Sequence, residues 1–111
     1  MIGHKIKIFL ALLIITSLVS GCSNVVEVAD ANTSKCIGEK ASLYVKDGCP
    51  FCEKQKEMFG ENVKYLNIID CSLDPQKCIN TNIVKVPSWF INEEIHEGFY
   101  TLKELKTIID C

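Results

Sequence analysis

Cys49-Pro50-Phe51-Cys52 is the segment of this sequence whose residue types and spacing can do chemistry. Two cysteines three positions apart can close a disulfide and reopen it. Pro50 suits the first position of a helix, where its missing N–H costs nothing. A helix opening there puts Cys49 at the exposed cap and Cys52 one turn in. A sulfur at a helix N-terminus faces unpaired N–H groups and the positive end of the helix dipole. Both favour the thiolate, which is the attacking form of cysteine. Cys52 is then placed to resolve a mixed disulfide formed at Cys49. Half of a zinc site or an inert bridge would use the same spacing, but a strand-to-helix junction with Pro inside the pair favours redox chemistry.

The elements that must position this pair can be read around it. Ala41–Val45 is β-prone and is broken by Lys46-Asp47-Gly48 before the helix, which runs from Pro50 to Met58 and Phe59 with Gly60 able to cap it. Residues 63–69 read as a second buried strand, and Asp74-Pro75 starts a short helix carrying Cys78. Ser88–Ile91 and Ile95–Glu97 read as strands joined by the turn Asn92-Glu93-Glu94. Thr101-Leu102-Lys103-Glu104 has the form of a capping box, with Leu102, Leu105, Ile108 and Ile109 as the apolar stripe of a last helix. The order β-α-β-α-β-β-α predicts an α/β fold: a four-stranded mixed sheet with helices on both faces.

Composition bounds the rest. The chain has 111 residues, 7 of them Cys and none Arg. Met1–Lys7 is a basic start and residues 8–19 an apolar run too short for a membrane span, so residues 1–21 read as an export signal. Val19-Ser20-Gly21-Cys22 resembles a prokaryotic lipoprotein lipobox, which would lipidate Cys22 and tie the chain to the membrane. An ordinary cleaved signal and an uncleaved anchor are the alternatives. The 90 residues from Cys22 onward carry 10 Lys against 14 acids and suit one small domain. An acidic, Arg-free domain is a poor nucleic-acid binder, and the cysteine density of an exported chain points to disulfide chemistry. The domain is expected over 41–111, with 22–40 as a lipidated N-terminus and tether. No Ser-His-Asp set, catalytic carboxylate pair or phosphate loop can be assembled, which excludes hydrolases and nucleotide enzymes. No cofactor or metal is called for. His96 reads as a solvated strand residue, Trp89 as core or groove wall, and Lys54 and Lys56 as a solvated helix face.

The chain resembles the thioredoxin superfamily over nearly all of residues 41–110. Within it, the chain is most similar to the thioredoxin-like domains fused to or paired with bacterial and archaeal vitamin K epoxide reductase homologues. The matching segments are residues 49–60, Val63-Lys64-Tyr65, Cys71, Cys78, residues 86–92, Glu97-Gly98 and Leu102-Lys103-Glu104-Leu105. The resemblance implies a thioredoxin-like fold, a cis Pro87, and a groove beside Cys49 in which Val86 and Pro87 dock a substrate backbone. It also implies a membrane quinone-linked oxidase as partner. Glutaredoxins share the Cys-Pro-aromatic-Cys and Val-Pro segments. They usually carry Gly-Gly and an acid before the last helix, where this chain has Gly98-Phe99-Tyr100-Thr101, so no glutathione dependence is expected.

Position and the resemblance together favour Cys71–Cys78 as a structural bridge and Cys36–Cys111 as a staple between the domain's ends. A second redox pair at Cys71 and Cys78 and a four-Cys zinc site with Cys49 and Cys52 stay open. The expected activity is disulfide formation in exported proteins by a membrane-tethered oxidoreductase on the outer side of the cytoplasmic membrane. The alternatives are a reductase of protein disulfides outside the cytoplasm and a non-enzymatic metal-binding lipoprotein.

Overall fold

A computed structural model describes residues 27–111. The expected export signal over residues 1–21 and the expected lipidation site Cys22 lie outside the described residues. The elements are α1 (Ala31–Lys40), β1 (Ala41–Val45), α2 (Pro50–Glu57), a 3-10 helix (Gly60–Tyr65), β2 (Asn67–Asp70), α3 (Pro75–Asn80), β3 (Ser88–Ile91), β4 (Glu94–Glu97) and α4 (Leu102–Ile109).

The four strands form one mixed sheet in the order β2-β1-β3-β4. Strand β1 runs parallel to β2, with Leu43 opposite Ile68, and antiparallel to β3, with Leu43 opposite Trp89. The ends of β1 and β2 therefore share an edge with the start of β3. This topology is what brings the segment after Val45, with Cys49, to the segment before Ser88, with Pro87.

Alternation along the strands divides the core in two. Ala41, Leu43, Val45, Trp89 and Ile91 pack on one face with Ile37, Cys52, Phe59, Leu102, Leu105 and Ile109. Tyr44 and Ile69 face the other way, onto Cys78 of α3. Helices thus cover both faces, as the element order implied. The α4 stripe buries Leu102, Leu105 and Ile109, each contributing roughly 2 kcal/mol of apolar burial. Thr101 Oγ1 accepts the Glu104 N–H at 3.2 Å, the first half of the capping box.

Three expectations are corrected. The stretch 22–40 is not all tether: Asp30 caps a ten-residue helix by accepting the Thr33 N–H at 2.7 Å, and Ser34 and Ile37 are buried beneath it. One buried aliphatic in three turns is too sparse to register as an apolar stripe, so the packed unit begins before Ala41. The second strand is shorter than 63–69, because Gly60–Tyr65 is a 3-10 helix whose Val63 packs inward, with Leu66 following it as an extended cap that also meets the core. Glu94 belongs to β4 opposite Ile91, leaving a two-residue turn with Asn92 and Glu93 both at positive φ (49° and 64°). A turn of that hand matches the twist of the strands it joins.

Candidate functional site

Strand β1 ends at Val45, and Gly48 takes φ 73°, turning the chain so that Cys49 becomes the N-cap of α2 with Pro50 at its first position. The loop is held from the side. The Cys71 N–H donates to Val45 O at 2.8 Å, and the Asp47 N–H donates to Ser72 Oγ at 3.0 Å. Cys49 is half-buried, whereas Cys52 has no solvent exposure. The two are disulfide-bonded, their Cα atoms 5.2 Å apart. The Cys52 N–H donates to Cys49 Sγ at 3.2 Å, so the sulfur that solvent can reach already has a helix N–H aimed at it.

Val86 and Pro87 lie opposite. The Val86–Pro87 peptide bond is cis, and Cys49 Sγ stands 3.8 Å from the Val86 carbonyl oxygen. Buried Ser88 closes this turn by donating its hydroxyl to Lys85 O at 2.6 Å. Beside it runs a groove of about 390 Å³ lined by Phe51, Lys85, Val86, Pro87, Glu97, Gly98 and Phe99. A cysteine pair at a strand-to-helix turn, a cis-Pro turn facing it, and the β2-β1-β3-β4 sheet beneath define the architecture. The fold is thioredoxin-like.

No family model matches the chain. Over 96 residues the chain is 34% identical to the thiol-disulfide oxidoreductase LTO1 of Arabidopsis thaliana, across 78% of this chain and 25% of that protein. The chain thus spans about a quarter of that relative's length. Among solved structures, it is similar to the NTD_N/C domain of alkylhydroperoxide reductase AhpF from Enterococcus faecalis. The TM-score is 0.49 at 22% identity, covering 72% of this chain and 44% of that one. A second structure of that reductase subunit gives the same values.

The other cysteines among the described residues are paired away from the groove. Cys36 is bonded to Cys111, joining α1 to the residue after α4, and Cys71 is bonded to Cys78. The second pair packs with Tyr44 and Ile69, whereas Cys49 and Cys52 pack on the opposite face of the sheet. That separation removes the four-Cys zinc site. Among the described residues, no group of three or more His, Cys, Asp or Glu side chains could hold a metal ion. Lys54 sets its ammonium 5.7 Å from the Phe51 ring centroid, and Lys56 pairs with Glu53 at 2.8 Å. His96 is less solvated than expected, being half-buried with its ring edge-on to Tyr100 at 6.3 Å. Trp89 is core.

Two residues near the site escaped sequence reasoning. Ser88 looks like an ordinary strand residue, and Gln55 like part of a charged helix face. Gln55 is fully buried, and its amide is saturated by Trp89, Tyr100 and Met58. The only sequence hint is that Gln55 lies three residues after Cys52, on the same inward side of α2.

Proposed function

We propose that this chain is a thiol–disulfide oxidoreductase that forms disulfides in exported proteins, working from a lipid anchor at Cys22. The observation that carries the reading is Cys49 as the reachable N-cap sulfur, bonded to buried Cys52 and facing the Val86-Pro87 turn.

A substrate thiolate attacks Cys49 Sγ and breaks the Cys49–Cys52 bond, and Cys52 leaves as a thiolate. Burial of Cys52 directs the attack to Cys49. A second substrate thiolate then attacks the substrate sulfur of the mixed disulfide and releases Cys49 as a thiolate. The helix N-terminus and the Cys52 N–H stabilise that charge. The substrate gains a disulfide and loses two electrons and two protons, and the protein pair is left reduced. A membrane quinone-linked oxidase of the vitamin K epoxide reductase type takes those electrons and restores the bond. The groove receives the substrate backbone along Val86 and Pro87. The named activity of the Arabidopsis relative supports the same chemistry.

The test is oxidative refolding of reduced, unfolded ribonuclease by the oxidised chain, paired with trapping. Reduced Cys52→Ser should accumulate a mixed disulfide with a protein disulfide at Cys49, and Cys49→Ser should not. Absence of any exchange, with tight stoichiometric zinc on the reduced chain, would instead establish the metal-binding alternative. Anchoring is tested separately: Cys22→Ala should release the chain from membranes.

A further inference from the structure

Between the end of β4 and the start of α4 runs Gly98-Phe99-Tyr100, of which Gly98 and Phe99 line the groove beside Cys49. Gly98 is fixed at one end, where its N–H donates to Pro87 O at 2.8 Å. Its φ of 106° is open to glycine and strained for other residues. Tyr100 is fixed at the other end by Gln55. The Tyr100 N–H donates to Gln55 Oε1 at 2.9 Å, and Gln55 Nε2 donates to Tyr100 O at 2.9 Å, the two-bond pairing that strand neighbours make. Gln55 Oε1 also accepts the Trp89 Nε1–H at 3.2 Å, and Nε2 lies 3.3 Å from Met58 Sδ, so the amide cannot swing free. Phe99, held between two pinned neighbours, is 39% exposed and shares the groove lining with Phe51, which is 59% exposed.

From this we infer that Gln55 is a positioning residue. It holds Phe99 in place so that the groove prefers substrates with an apolar side chain next to the reacting cysteine. The inference rests on the oxidoreductase reading above and names the substrate feature that reading leaves open. Two aromatic rings and Pro87 offer apolar surface to such a side chain, and a polar one gains nothing there. Gln55 touches neither sulfur, so its effect falls on binding rather than on the exchange step.

The experiment is single-turnover oxidation of two-cysteine peptides by the full-length oxidised chain, comparing Phe with Ser beside the first cysteine. Half-saturation should come at about tenfold lower concentration for the Phe peptide, a gap of the size one buried apolar side chain supplies. Gln55→Met and Phe99→Ala should each close that gap, and the double variant should close it no further, because both act through one wall. The limiting rate and the Cys49/Cys52 reduction potential of Gln55→Met should hold. Persistence of the gap in either variant overturns the inference, as does closure through a fallen limiting rate or a shifted potential. If Gln55→Met fails to fold, Phe99→Ala decides, since its side chain is on the surface. Equal half-saturation of both peptides by the unaltered chain overturns the inference alone. Failure to oxidise either peptide overturns the oxidoreductase reading with it.

Discussion

The backbone N–H of Cys52 points at Cys49 Sγ from 3.2 Å, and Cys49 is the side chain that caps α2. One turn of helix therefore supplies both the bonding partner of the attacking sulfur and the donor that steadies its charge. The same turn buries Cys52 in the core cluster that also holds Phe59 and Trp89. The asymmetry between the two sulfurs is thus a packing result, and it dictates which one meets substrate.

That asymmetry has a direct chemical readout. In the fully reduced chain, Cys49 should be alkylated by iodoacetamide well before Cys52, by at least about tenfold in rate, because only Cys49 joins thiolate stabilisation to access. Peptide mapping after a short pulse checks it.

Gly38 offers a test of opposite sign from helix propensity. In an isolated helix, Gly to Ala gains about 1 kcal/mol. Here a Cβ at Gly38 would run into the carbonyl oxygen of Tyr65, where α1 lies against the 3-10 helix. Backbone cannot move aside as a flexible side chain would, so Gly38→Ala should cost about 1–3 kcal/mol. Urea denaturation under oxidising conditions measures it.

The two peripheral disulfides should differ in what they contribute. Cys36–Cys111 spans 75 residues of sequence and Cys71–Cys78 only 7. Loop-closure entropy assigns about 4.5 kcal/mol to the first and about 2–3 kcal/mol to the second. Paired Cys→Ser variants compared by urea denaturation should preserve that order. The Cys71–Cys78 variant should also loosen the Val45–Asp47 loop, since Cys71 and Ser72 hold it.

Asp30, the N-cap of α1, carries a pH dependence of stability. The Thr33 backbone N–H that its carboxylate accepts holds Asp30 below the usual carboxylate value of 3.8. A carboxyl depressed in the folded state adds stability above its unfolded pKa and loses it as pH falls through its folded pKa. Asp30→Ala should therefore lower Tm at pH 7, and the difference from the unaltered chain should shrink below about pH 3.8. Thermal melts from pH 2 to 7 check both the sign and the window.

Much of the architecture was legible because local signals and tertiary contacts agree. Pro50 and Pro75 sit at helix starts, Thr101 caps α4, and the α4 stripe packs as its spacing implies. What sequence could not show is held by contacts distant in the chain. Helix α1 presents one buried aliphatic, Ile37, and is held by packing on the 3-10 helix and by the bond from Cys36 to Cys111. The 3-10 turn replaces the start of an expected strand because Val63 meets the core from a helical turn and the extended backbone begins only at Leu66. From sequence, Cys49 meets Pro87 only by family resemblance; the strand order β2-β1-β3-β4 is the physical cause. Gln55 stayed hidden because a glutamine between charged residues reads as surface; its partners Trp89 and Tyr100 lie 34 and 45 positions away.

The most direct test of the proposed direction of electron flow is the reduction potential of Cys49/Cys52, measured by equilibrating the chain with thiol–disulfide buffers. The account predicts a value well above thioredoxin's roughly −270 mV, toward the roughly −120 mV of a strong disulfide donor. A value at or below thioredoxin's would contradict disulfide donation and make the chain a reductant. Failure of the pair to exchange at all would contradict both directions.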